Sequence, residues 1–290
     1  MPHDGGSAKN QGFSRDFRHK RVYLMLMRRF EQELGKTDEK MEWESSDSHS
    51  VLRRHLLEFL IDSAQQLLVR PIVKYTALSF FADRFFPSVS RSRKHNLFDV
   101  AKCERNFWLL NPLTESNLQL FALVSIWVSS KLHETRPLSV KSLKSLGDML
   151  ISDQCFTTRD FAMAERLFLE MTQFDIGASQ VAFIFLEELL MQFRELSKVG
   201  SLVSLEVCME IMDLLYEKEQ TSMLFSSPHA LAASILVAAY FFTVPKQQWE
   251  FPLLPWVKFA TSYEEADIGA LVHYILMHVL AAEPTDSTLF

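Results

Sequence analysis

Hydrophobic residues along this chain recur mostly at three- and four-residue intervals, and that spacing predicts a succession of amphipathic helices. Ser48 or Ser50 is placed to cap a first helix whose Leu52, Leu56, Phe59 and Leu60 share one face. A second helix, Ile72 to Phe86, follows Pro71, whose fixed φ suits a first helical turn. The segment Leu118 to Glu134 departs from this pattern because it is apolar on every side, as a helix buried among others must be. It nevertheless carries one cation, Lys131, in its last turn, where the bundle meets solvent or a partner. A short helix from Ser139 and another from Thr157 through Glu165 toward Phe174 complete the first series. Five more helices follow: Gln180 to Leu196, Leu202 to Glu217, Pro228 to Phe242, Leu254 to Thr261 and Glu264 to Leu280.

The second series repeats the first. Laying Phe121 to Lys131 over Leu231 to Phe241 aligns two buried-helix patterns at an offset of 110 residues, each followed by a proline-containing loop. The expected fold is therefore all-α, with tandem five-helix bundles at 50–175 and 176–282, and a short tail at 283–290. Residues 1–49 read as a Gly/Ser/Asn-rich tail, an amphipathic segment from Val22 to Phe30 and an acidic linker from Asp38 to Asp47. Residues 87–113 are expected to form a long polar loop, in which Ser90 and Ser92 lie among basic residues as modification candidates. In the second series, Phe241 stands where Lys131 stands in the first, so any chemistry of that lysine belongs to one copy.

Composition narrows the function classes. Eight Gly and ten Pro against twelve Met favour helices over a turn-rich sheet. A net charge of −6 supplies no general field for phosphate backbones, so nucleic acid is an unlikely partner despite basic residues at Arg15 to Arg29 and Arg91 to Lys94. Cys103, Cys155 and Cys208 are too few and too widely spaced for a disulfide framework or a metal knuckle, which suits a reducing, intracellular compartment. The most apolar run, Ala230 to Val244, is shorter than the roughly 20 residues of a membrane span. The N-terminus has no apolar core of a secretory signal. Glycine-rich phosphate loops, nucleophile elbows and His-Glu-x-x-His are absent, and His273/His278 and His49/His55 have the wrong spacing for shared ligation, so neither catalysis nor a cofactor or metal is expected.

Ser130-Lys131-Leu132-His133-Glu134, closing an apolar helix, and the Glu165 helix running into Phe174-Asp175 together resemble the cyclin box. Arg53-Arg54-His55-Leu56-Leu57-Glu58-Phe59 is similar to that family's first helix, with Phe59 where Trp is usual, and the chain's size is similar to the divergent plant J-type cyclins. The resemblance implies a regulatory subunit that binds and activates a cyclin-dependent protein kinase in cell-division control, in the nucleus or cytoplasm. It implies a kinase-binding set of Lys131, Glu165, Val128, Leu169 and Phe174. It also implies a docking groove for substrate or inhibitor peptides built from Leu52, His55, Leu56, Phe59, Asp62, Leu118 and Gln119. The competing use of such a double bundle is a non-catalytic scaffold in transcription. Ser227-Pro228 reads as a helix cap followed by a first-turn proline.

Overall fold

A computed structural model describes residues 47–94, 109–110, 114–176, 181–217, 224, 227–245 and 251–280. The amphipathic segment 22–30, the acidic linker, most of 95–113 and the C-terminal tail lie outside the described residues. Every regular element among the described residues is helical.

The first series comprises α1 (Asp47–Gln66), α2 (Pro71–Leu78), a π-helical stretch (Ser79–Phe85), α3 (Phe86–Lys94), α4 (Glu115–His133), α5 (Val140–Leu150) and α6 (Thr158–Met171). The second comprises α7 (Ala182–Leu196), a 3₁₀ turn (Lys198–Leu202), α8 (Leu205–Glu217), α9 (Pro228–Thr243), α10 (Leu253–Thr261) and α11 (Glu265–Leu280). Within the first series α4 packs on α1, α2, α5 and α6, and within the second α9 packs on α7, α8, α10 and α11.

Local chemistry sets most of the boundaries. Thr114, at the head of α4, accepts the Asn117 N–H on its hydroxyl at 3.2 Å. Thr157 and Asp160 exchange hydrogen bonds in a capping box that starts α6. Two serines inside the central helices are satisfied by their own helix: Ser125 donates to the Ala122 carbonyl at 2.7 Å and Ser234 to the Ala230 carbonyl at 2.8 Å. The aromatic heart of the first bundle is Phe85, with its ring centroid 4.6 Å from Phe121 and 4.9 Å from Phe168.

Three sequence expectations need correction. Helix α1 begins at Asp47, so Ser48 and Ser50 lie within the helix and not at its N-cap position. The chain does not leave the helix at residue 87, since α3 runs to Lys94 and holds Ser90, whose hydroxyl bonds the Phe86 carbonyl at 2.9 Å. The wide π-helical stretch sits just before Pro87, where a regular helix would press the ring on the carbonyl four residues back. Ser227 does occupy the N-cap position ahead of Pro228, but its hydroxyl pairs with the Tyr263 hydroxyl at 3.1 Å and not with the helix.

The two bundles meet through a polar seam set in aromatic packing. Lys74 of α2 lies 2.9 and 2.8 Å from the two carboxylate oxygens of Asp213 on α8. The Tyr75 hydroxyl lies 3.0 Å from both the Met209 carbonyl and Asp213, and its ring stacks on Phe183 at 5.1 Å. Arg53 of α1, itself buried, donates to the Tyr216 carbonyl at 3.0 Å in the last turn of α8. Burial drives the carboxyl of Asp213 above its ordinary pKa, although Lys74 and Tyr75 pull it back.

Candidate functional site

The C-terminal end of α4 gathers the chemistry that the sequence singled out. Lys131 Nζ sits 2.5 Å from Glu165 Oε1 on α6, joining two helices 34 residues apart. The same ammonium lies 3.6 Å from the ring centroid of Trp127, one helical turn back. Trp127 is fixed in turn, because its indole N–H donates to the Leu138 carbonyl at 3.0 Å. The lysine is therefore held from two sides while its side chain stays 37% exposed.

The end of the helix is clamped as well. Arg70, just before α2, donates from Nε to Glu134 Oε1 at 2.7 Å, and its guanidinium also binds the His133 carbonyl. Such contacts satisfy carbonyls that a helix leaves unpaired at its C-terminus. His133 Nε2 lies 2.9 Å from the Thr76 hydroxyl. Burial, and then the nearby Arg70 charge, push the imidazole below its ordinary pKa, so it is neutral near pH 7.

On the far side, α6 stops in a Schellman-type turn. The Gln173 N–H reaches the Glu170 carbonyl at 3.1 Å and the Phe174 N–H reaches Leu169 at 2.8 Å. Both Gln173 (φ 56°) and Phe174 (φ 57°) are left-handed, and the Phe174 side chain is 64% exposed. Asp175 is anchored 3.1 Å from Arg84, on the π-helical stretch.

The five residues assigned to a kinase face thus differ in access. Lys131 and Phe174 are exposed, Glu165 and Leu169 are half-buried, and Val128 is only 3% exposed. The sequence reading missed Leu132, which is exposed beside Lys131, together with the Trp127 stack and the Arg70 clamp. Leu132 was signalled only by its place directly after the lysine.

The seven groove residues separate in a similar way. His55 and Asp62 are exposed, and Leu52, Phe59 and Gln119 are half-buried. Leu56 and Leu118, at 0 and 1% exposure, belong to the core between α1 and α4. Among the described residues no group of His, Cys, Asp and Glu is arranged to hold a metal, and no helix is long and apolar enough to cross a membrane.

Comparison with known proteins agrees with this geometry. The family described as "Cyclin, N-terminal domain" matches residues 23–177. The "Cyclin-J18-like" protein of Oryza sativa subsp. japonica is 58% identical over 230 residues, covering 79% of this chain and 87% of that protein. "Cyclin-J18" of Arabidopsis thaliana is 56% identical over 229 residues, covering 79% of this chain and 95% of that one. In fold, the chain is similar to a viral cyclin from herpesvirus saimiri, with a TM-score of 0.56 at 17% identity, covering 90% of this chain and 98% of the other. With a matching N-terminal family domain and plant J-type relatives, and with every described element helical, the chain belongs to the cyclin family, a class of non-catalytic regulatory proteins.

Proposed function

We propose that the chain is the regulatory subunit of a cyclin-dependent protein kinase, which it binds and activates through the α4–α6 end, with a role in cell-division control inside the cell. The observation that carries this reading is the Lys131–Glu165 pair, held on Trp127 and flanked by the exposed Leu132 and Phe174. A fixed charge pair within an apolar border suits a protein partner better than solvent does. Kinase catalysis needs the β3-lysine to meet the αC-glutamate, so a rigid partner that binds only the αC-in state shifts the kinase toward activity. The rim of the groove, with exposed His55 and Asp62 beside half-buried Phe59, is a second site of the same reading, where Asp62 receives a cation of an extended substrate or inhibitor peptide.

Capture from a panel of cyclin-dependent kinases tests the proposal. Lys131→Ala or Glu165→Ala should leave helical content and melting nearly unchanged, since a surface pair contributes ~0–1 kcal/mol. If the pair is desolvated against the kinase, association should weaken by ~2–5 kcal/mol, roughly thirtyfold or more. Wild-type affinity in both variants overturns the reading in favour of a transcription scaffold, for which salt-dependent DNA binding is the assay.

A further inference from the structure

We infer that Leu68, in the turn between α1 and α2, is a further contact for the kinase that docks on Lys131 and Glu165; the inference rests on that reading. Helix α1 ends in a Schellman-type stop, with the Val69 N–H on the Ala64 carbonyl at 3.2 Å and the Leu68 N–H on Gln65 at 3.0 Å. This pattern places residue 68 in the left-handed region, and Leu68 has a φ of 52°. Glycine or asparagine takes that conformation at least cost, whereas the leucine Cβ crowds the backbone. The side chain recovers little from the described residues, because it is 88% exposed. Leucine is therefore unfavourable here on two counts, as a strained backbone and as apolar surface left in water.

A side chain of this kind suits a surface that another protein covers, and its position indicates which protein. Two residues on, Arg70 binds Glu134 and the His133 carbonyl, tying this turn to the end of α4 just beyond Lys131 and the exposed Leu132. On the other flank, the stop of α6 presents Phe174 from a left-handed backbone. Two helix stops with a large exposed apolar residue in left-handed conformation thus bracket the charge pair. The remaining non-glycine residues of positive φ among those described, Gln173 and Ser262, carry polar side chains. The turn is continuous with the proposed kinase face, so the kinase is its occupant.

The test uses the full chain with Leu68→Gly and, as a second variant without the added backbone freedom of glycine, Leu68→Asn. Melting midpoint and affinity are measured for the kinase that the wild type captures. Both variants should be as stable as wild type or more so, since the strain is relieved, while affinity falls about tenfold as an apolar contact is lost. Wild-type affinity in both, alongside weakened binding by Lys131→Ala, overturns the role of Leu68 and leaves the kinase reading standing. A lower midpoint in both variants also overturns it, because the leucine is then covered by another segment of its own chain. Unchanged binding by Lys131→Ala and Glu165→Ala removes the kinase reading, and this inference with it.

Discussion

Helices α4 and α9 occupy the same place in their respective bundles and are buried almost throughout, yet they end differently. The first closes in Lys131, paired with Glu165 and stacked on Trp127. The second closes in Phe241, half-buried and edge-on to Tyr240 at 6.0 Å between ring centroids. Burial along a central helix is what a bundle requires of its core, so that feature repeats. The exit of the helix carries no such demand, and among the described residues only the first copy places a fixed charge pair there.

If the cores are equivalent and the ends are not, damage to a core should exceed damage to an end. The largest loss is expected for Phe121→Ala, which empties the space between α4 and the ring of Phe85 and should cost ~3–5 kcal/mol in denaturant unfolding. Next is the seam: Lys74→Met leaves Asp213 without its cation and should cost ~2–3 kcal/mol at neutral pH. That loss should shrink on acidification as Asp213, already raised by burial, takes up its proton. Phe241→Ala should cost only ~1–2 kcal/mol, because the ring is half-exposed, and should leave kinase capture at the wild-type level. A kinase defect in that variant would show that the second bundle's end also takes part.

The smallest effect lies at Glu217, whose carboxyl is raised above 4.5 by burial first and then by Glu58, Asp213 and Asp62. A raised carboxyl binds its proton more tightly in the folded state than in the unfolded one. Stability should therefore decline as pH rises from 4.5 through the raised value. Glu217→Gln should flatten that decline and raise the melting midpoint slightly at pH 7.

The helices were legible in the sequence because each is written in local pattern, whereas the pairing of Lys131 with Glu165 was implied by the resemblance to the cyclin box. An apolar run of helical length declares a buried element, and a single lysine at its end is conspicuous. The second helix was cut short at Phe86 because Pro87 reads as a breaker, and the π-helical stretch that accommodates it has no spacing signature. Leu52, Leu56 and Phe59 form one stripe by periodicity, but periodicity cannot say how deep in that stripe each residue sits; the packing of α4 on α1 buries Leu56 and Leu118 and leaves Phe59 at the margin. Leu68 and Phe174 were illegible as left-handed residues, since leucine and phenylalanine are poor markers of that backbone state.

Arg53 has a consequence for the order in which the molecule is made. Its guanidinium satisfies the Tyr216 carbonyl at the last turn of α8, so a residue near the start of the described chain finishes a helix 163 residues later. Synthesis runs from the N-terminus, and a growing chain folds domain by domain. Arg53, Lys74 and Tyr75 have left the ribosome before α8 appears. The first bundle thus presents a ready template of donors and stacked rings on which α8 completes itself, and the second bundle made alone would lack that template.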